Sequence, residues 1–338
     1  MTFATHPSTA LEMLATDPAD VVVSDMRMPD MDGAGLLQEV RTRWPDTVRI
    51  ILSGYADEGA ALRSVPVAHQ FLAKPCDPAT LMATIRDACE LQDRLSRPEL
   101  RRLVGGLGAL PSAPQSFAAI TEALAQPEVH LRQVASIIEQ DPSCAAKLLQ
   151  IVNSSFFGLA RQVTRVDEAV AYLGVTRVRD VVLAAEVADM FHCSTPELAG
   201  IAQEVNERSG IVAAKARELV KPRHAHDAFM AGILHDIGRL ALATVLPDQY
   251  GAIAREQCTG DDLVLLEQEL LGASHADVGA YLLRLWGLPF TLVDAVARHH
   301  DQISSDDDSP LAIAVATAVS QLDGAADTAT LTPEVHSG

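Results

Sequence analysis

Aromatic residues make up only 4% of the 338-residue chain, and cysteines number five. So few aromatics mean that the cores are built from Ala, Leu, Val and Ile. Cys76, Cys89, Cys144, Cys193 and Cys258 are odd in number, widely spaced and never arranged as C-x-x-C. That pattern argues against a disulfide framework and against a cysteine zinc site, and it fits a reducing cytosol. Basic residues are scarce as well: 26 Lys and Arg stand against 45 Asp and Glu, a formal charge of -19. A field of that sign repels phosphate backbones and anionic lipid headgroups, so neither DNA nor a membrane surface is expected as a partner. Long apolar runs are missing too. Leu311 to Val319 falls far short of the roughly 20 residues of a spanning helix, and Met1 to Pro7 has no basic region ahead of an apolar one. The chain reads as cytoplasmic.

What is present is a length suited to about two domains, with 48% hydrophobic residues to fill their cores. Residues 1–95 alternate short β-branched runs with amphipathic segments. The runs are Val21 to Asp25, Val48 to Ser53 and His69 to Lys74, and they read as the strands of a parallel α/β sheet. Strand signals stop at Pro98. Residues 96–114, rich in Gly and Pro, are expected to form a helical hinge or linker, residues 115–325 an all-α domain, and residues 326–338 a frayed tail. Within the helical part Asp141-Pro142 is an N-cap with proline at the first helical position, and Gly174 is a C-terminal stop. Asp227 to Leu246, Leu263 to Trp286 and Leu292 to His300 each have helical length and an apolar stripe.

Ligands of a parallel sheet bind at the carboxyl ends of its strands, where this chain places Asp25, Ser53 and Lys74. A carboxylate can accept a phosphoryl group, a hydroxyl can donate to a phosphoryl oxygen, and an ammonium can neutralise its charge. Ser24-Asp25-Met26-Arg27-Met28-Pro29-Asp30-Met31-Asp32-Gly33, Leu52-Ser53-Gly54-Tyr55 and Phe71-Leu72-Ala73-Lys74-Pro75 resemble the receiver domain of bacterial response regulators, a CheY-like, flavodoxin-like fold. The resemblance implies that Asp25 is the phosphoacceptor, Ser53 the switch hydroxyl, Phe71 the aromatic that swings inward and Lys74 the charge partner, with a cis Lys74–Pro75 bond. Receivers hold Mg²⁺ with two acids on a first strand that has no counterpart ahead of Asp25, and Glu12, Asp17 and Asp20 do not replace them. Two expectations follow: a start codon upstream of Met1, which is favoured, or a receiver that takes phosphate poorly.

In the helical part four histidines, His235, His275, His299 and His300, and Asp236 are residue types that ligate divalent metals; each alone is as readily a hydrogen-bonded packing group. Gly232 to Arg239, Glu267 to Gly272 with His275, Trp286-Gly287-Leu288-Pro289 and Ala297-Arg298-His299-His300 resemble the HDOD domain, a relative of HD phosphohydrolases. Leu110-Pro111, Glu139-Gln140-Asp141-Pro142, Asn153-Ser154 and Ala169 to Gly174 extend the match. HDOD domains are generally regarded as noncatalytic outputs. Where catalytic relatives carry an earlier histidine this chain has Arg208, and Leu311 to Leu322 contains no closing Asp. The expectation is a vestigial metal site at His235, Asp236, His275, His299 and His300, weakly occupied, with its histidines mainly packing groups.

The combined reading is a phosphorelay response regulator with a protein-interaction output. Its expected partners are a cognate histidine kinase and a downstream signalling protein, with homodimerisation left open. The rival readings are a metal-dependent phosphohydrolase of cyclic dinucleotides or nucleotides, and a nucleotide sensor without turnover.

Overall fold

The computed structural model describes residues 2–53, 67–92, 97–107, 110, 119–120, 122–124, 126, 129–153, 162–174, 178, 195–256, 258–303 and 309–330. Its first part runs α1 (Pro7–Thr16), β1 (Val21–Asp25), α2 (Gly33–Arg43), β2 (Val48–Ser53), β3 (Gln70–Ala73) and α3 (Pro78–Gln92). Parallel pairing in the order β1-β2-β3 sets Asp25 beside Leu52 and Ser53 beside Ala73, so the expected strands form one sheet. The second part is helical: α4 (Pro98–Gly105), α5 (Leu131–Ile138), α6 (Pro142–Val152), α7 (166–174), α8 (Pro196–Glu218), α9 (Ala225–Leu234) and α10 (Ile237–Val245). It continues with α11 (Pro247–Arg255), α12 (Gly260–Leu271), α13 (His275–Leu285), α14 (Phe290–Ala297) and α15 (Pro310–Thr330).

Both faces of β2 are covered, which is why Val48 to Leu52 is apolar at nearly every position. Ile51 and Phe71 pack with Met26, Ala34 and Leu37 beneath α2. On the opposite face Val48, Ile50 and Leu72 join a core that runs on into the helical part through Val104, Leu149 and Leu283. Helix α2 starts hard against the end of β1. A Cβ at Gly33 would lie 2.3 Å from the Asp25 carbonyl oxygen, so only glycine permits that start, and Asp32 caps it by accepting the Gly35 N–H at 2.9 Å.

The stretch expected as a hinge begins with a docked helix. Leu100 and Val104 of α4 are buried, and α4 packs on both α10 and α13. Its last carbonyls are held by side chains of the sheet part. Arg49 and His69 Nε2 each donate to Gly105 O at 2.8 Å, and Arg41 donates to Gly106 O at 3.0 Å. Arg49 is fully buried and donates also to the carbonyls of Val67, Pro45 and Thr47 at 2.7, 3.0 and 3.1 Å. Two glutamines add cross-links: Gln150 donates to His69 O at 3.3 Å and Gln70 to Arg284 O at 3.2 Å.

Other local expectations are met. Asp141 caps α6 through the Cys144 N–H at 2.9 Å, and Gly174 ends α7 at φ 76°. Asn153 clasps Val163, donating to its carbonyl at 2.7 Å and accepting its N–H at 2.6 Å, which gives that motif residue a structural role.

Two expected helices are each two. Leu263 to Trp286 is broken because Gly272, at φ 78°, ends α12 and Ser274 opens α13 with a reciprocal capping box to Asp277. Asp227 to Leu246 is broken at His235-Asp236, where Asp236 takes ψ 11° between α9 and α10. The stretch Pro222–Val245 is long and apolar enough to cross a bilayer, contrary to the expectation that no such run exists, but 83% of its apolar window is buried inside the helical part. It serves as a core element.

Candidate functional site

Of the four residues expected in the sheet site, the structure brings two into contact. Lys74, just past β3, hydrogen-bonds Asp25 Oδ2, while Asp25 Oδ1 accepts the Arg27 N–H at 3.3 Å. Both side chains are about two-fifths exposed, open to a phosphodonor. Ser53 ends β2 in register with this edge, but its side chain lies outside the described residues. Phe71 is buried against the α2 cluster, and the Lys74–Pro75 bond is cis. Receiver domains generally use Mg²⁺. Among the described residues this edge offers the ion Asp25 alone, already engaged by Lys74, and one carboxylate is a poor fit to it.

The helical part gathers a denser constellation. His235 and Asp236 would diverge by about 100° on a straight helix. The joint between α9 and α10 instead sets His235 Nε2 3.4 Å from Asp236 Oδ2, which corrects the single-helix expectation. α13 contributes His275 at its first position, directly after the capping box, and α10 crosses α13 so closely that a Cβ at Gly238 would lie 1.9 Å from the His275 carbonyl oxygen. His299 and His300 follow α14.

Each of three imidazoles has its Nδ1 fixed by an acceptor: His235 by Gly232 O at 2.8 Å, His299 by Val296 O at 2.7 Å, and His275 by Glu267 Oε2 at 2.7 Å. An Nδ1–H that donates outward leaves the Nε2 lone pair facing inward. Inside, His275 Nε2 lies 3.2 Å from His299 Nε2, 3.1 Å from His300 Nε2 and 3.3 Å from Asp236 Oδ1. His235 Nε2 is buried with no hydrogen-bond partner.

Burial, reinforced by neighbouring histidines, holds His300 neutral with its pKa lowered to about 2. Burial likewise lowers His235 to about 3 against the pull of Asp236. His275 goes the other way: burial alone would lower it, but Glu267 and Asp236 raise it to about 9. Burial also opposes Asp236, yet His235, His275 and His299 keep it well below the usual carboxylate range.

One proton on His275 Nε2 can satisfy only one of the three acceptors around it. A purely packing role leaves the His235 Nε2 lone pair and Asp236 Oδ2 unmatched. A divalent cation does fit it, displacing the proton from His275 Nε2: Nε2 groups oriented from behind, one carboxylate, and an orphaned buried nitrogen beside them.

Two guanidiniums border the cluster. Arg208 Nε lies 3.0 Å from Asp236 Oδ2, without hydrogen-bond alignment, and Arg208 Nη1 lies 2.8 Å from Asp323 Oδ1. Arg239 bonds Glu204 at 2.8 Å. Asp323 is a correction: the stretch expected to lack a closing acid ends at Leu322, whereas α15 continues to Thr330 and carries Asp323. Glu267 was seen only as part of a motif, and Tyr250, which donates to it at 2.9 Å, was not singled out. A cleft of about 610 Å³ reaches His299 and His300, and among the described residues its lining carries Asp261, Asp262, Asp301 and Asp323 but no Lys or Arg.

Comparison with known proteins places these features. The family model "HDOD domain" matches residues 110–302, and "Response regulator receiver domain" matches residues 1–86. An uncharacterised protein of Treponema pallidum is 22% identical over 193 residues, 57% of this chain and 38% of that protein. The hydrogenase transcriptional regulatory protein HoxA of Cupriavidus necator is 41% identical over 85 residues, 25% of this chain and 18% of HoxA. The chain thus spans well under half the length of these curated relatives. A solved structure of the MmoQ response regulator from Methylococcus capsulatus is 26% identical with a TM-score of 0.56, covering 67% of this chain and 90% of that one.

Proposed function

The chain belongs to the HDOD family, with a response regulator receiver domain ahead of that domain, and on this premise we propose that it is a cytoplasmic response regulator whose HDOD output works by protein contact. Asp25 accepts phosphate from a histidine kinase or another phosphodonor. Ser53, Phe71 and Lys74 form the local switch, and a downstream signalling protein reads the HDOD surface.

The observation that carries this reading is the junction. Helix α4 has its C-terminal carbonyls in the grip of Arg41, Arg49 and His69 from the receiver, while its body packs on α10 and α13. Those two helices open at Asp236 and His275, so a shift of the sheet is passed to the histidine cluster by one rigid element. The test is hydrogen exchange on the full chain with and without acetyl phosphate. Altered protection in residues 98–105 that is absent in Asp25→Asn supports the reading, and unchanged protection in labelled protein overturns it.

His275, His299 and His300, with Asp236 beside them, are the side chains that would hold a divalent cation. Such an ion, when bound, supplies positive charge that ties α10, α13 and the residues after α14 together. Turnover of a phosphoester is disfavoured by the acidic cleft, which repels the substrate, and by Arg208 and Arg239, which are engaged with carboxylates instead of free to clamp phosphate. The phosphohydrolase alternative draws its support from the same ligand set. A phosphodiesterase assay with Mn²⁺ and Fe²⁺ separates the two: turnover lost in His275→Ala would establish the enzyme.

A further inference from the structure

A second cleft, of about 240 Å³, lies among α5, the start of α7, the last turn of α8 and α9, and shares no lining residue with the cleft beside the histidines. In a chain of charge -19 its lining is locally basic: Arg132, Arg165, Arg217 and His226 face Glu139 and Asp167. The charges do not simply cancel. Arg165 donates to both oxygens of Asp167, one bond at 2.9 Å, and this pairing holds the Asp167 carboxyl below its ordinary range. Glu139 is half-buried, and burial, then the charge of Asp167, pushes its pKa up. Arg132 and Arg217 are exposed, and among the described residues neither makes a salt bridge within 4 Å, although the charge of Arg217 acts on Glu139. Arg217 lies 5.5 Å from the Phe229 ring centroid, a cation–π contact. His226 stands exposed at the same rim.

We propose that this cleft binds a phosphate group through Arg132, Arg217 and His226. Donors from three elements, α5, α8 and α9, line one cleft, and several donors suit a tetrahedral anion better than a planar carboxylate, which one guanidinium saturates. The volume is below the roughly 300 to 1,000 Å³ of sites that enclose a whole drug-sized ligand, so the cleft takes one charged head group and leaves the remainder outside.

The test is calorimetric titration of the full chain at low ionic strength with inorganic phosphate, with AMP, and with chloride as the control for ionic strength. One-site phosphate binding that weakens about tenfold or more in Arg132→Gln/Arg217→Gln, but not in His299→Ala, is expected, since a charge-assisted hydrogen bond is worth about 1.5 to 3 kcal/mol. AMP binding tighter than phosphate would assign the source to a nucleotide, and equal or weaker AMP binding would assign it to the free anion. Because both arginines are exposed, the double variant should keep the wild-type unfolding midpoint, which checks that it is folded. Absence of saturable phosphate binding, or binding unchanged in the folded double variant, overturns the proposal.

Discussion

His69 at the junction and His275 in the cluster are equally inaccessible to solvent, yet they are buried in opposite ways. His69 finds a partner of the right kind for each nitrogen: Nδ1 accepts the Arg49 backbone N–H at 3.2 Å, and Nε2 donates to Gly105 O at 2.8 Å while lying 2.5 Å from Arg49 Nη2, which donates to the same carbonyl. Burial and the nearby Arg49 charge hold it neutral, well below the usual histidine range. His275 has one nitrogen anchored on Glu267 and the other turned toward atoms that are themselves acceptors. The first is a histidine used as structure; the second stands among groups with the geometry of a metal site. Burial alone does not separate such groups. The separation comes from counting protons against lone pairs.

The largest effect that tests this contrast is removal of Arg49. Its guanidinium satisfies carbonyls of Pro45, Thr47, Val67 and Gly105, and Arg49→Met leaves buried acceptors without donors. A loss of about 3 kcal/mol in urea unfolding is expected, of the size found when buried acceptors lose a charged partner. Arg49→Lys should recover little, because an ammonium cannot reproduce the fork. A loss below about 1 kcal/mol would show that the junction is not structural in this sense.

The cluster should answer to metal, and the junction should not. Mn²⁺ at a hundredfold excess over its dissociation constant should stabilise the chain by about 2.7 kcal/mol. His299→Ala should abolish that gain, and His69→Gln should keep it. Equal loss in both variants would erase the distinction between the two histidines.

The same contrast appears with pH in metal-free protein. His69 is depressed on folding, so below about pH 6.5 the unfolded chain binds a proton that the native chain refuses, and stability falls with acid. His235 and His300, lowered to about 3 and about 2, add the same slope. His275, raised to about 9, contributes stability that is full below about pH 6.5 and is lost as pH rises through about 9. Each group is worth about 1.4 kcal/mol per pH unit within its window. His69→Gln should therefore flatten the acid limb by about one proton and leave the alkaline limb unchanged, as read from unfolding midpoints between pH 5 and 6 and between pH 7 and 9.

What could be read before the structure follows from how local each signal is. Asp25 and Lys74 close β1 and β3 in short motifs, and parallel pairing brings them together as expected. The histidines were legible as ligand types, but their tautomers were not, because the acceptors are the carbonyls of Gly232 and Val296 and a glutamate on another helix. Glu267 meets His275 only after Gly272 turns the chain and Ser274 restarts it. The junction gave no signal at all. Arg49 interrupts an apolar strand and His69 precedes another, twenty positions away, and only strand register shows that they share the end of α4.

The smallest effect concerns Gln70, and it asks whether the receiver touches the helical part by more than its grip on α4. Gln70 lies at the start of β3, its side chain half-buried, donating to Arg284 O at 3.2 Å near the end of α13. Gly287, whose positive φ of 73° opens the loop to α14, approaches the same side chain, so a Cβ there would stand 3.4 Å from Gln70 Cγ. A neutral, partly solvated hydrogen bond contributes about 0.5 to 1.5 kcal/mol. Gln70→Ala should thus cost about 1 kcal/mol in urea unfolding, about a third of the Arg49→Met effect, because water can reach the Arg284 carbonyl it uncovers but cannot reach the carbonyls around Arg49. If instead Gln70→Ala costs as much as Arg49→Met, the α13–α14 loop, not the end of α4, is the principal attachment, and the coupling assigned to the junction moves with it.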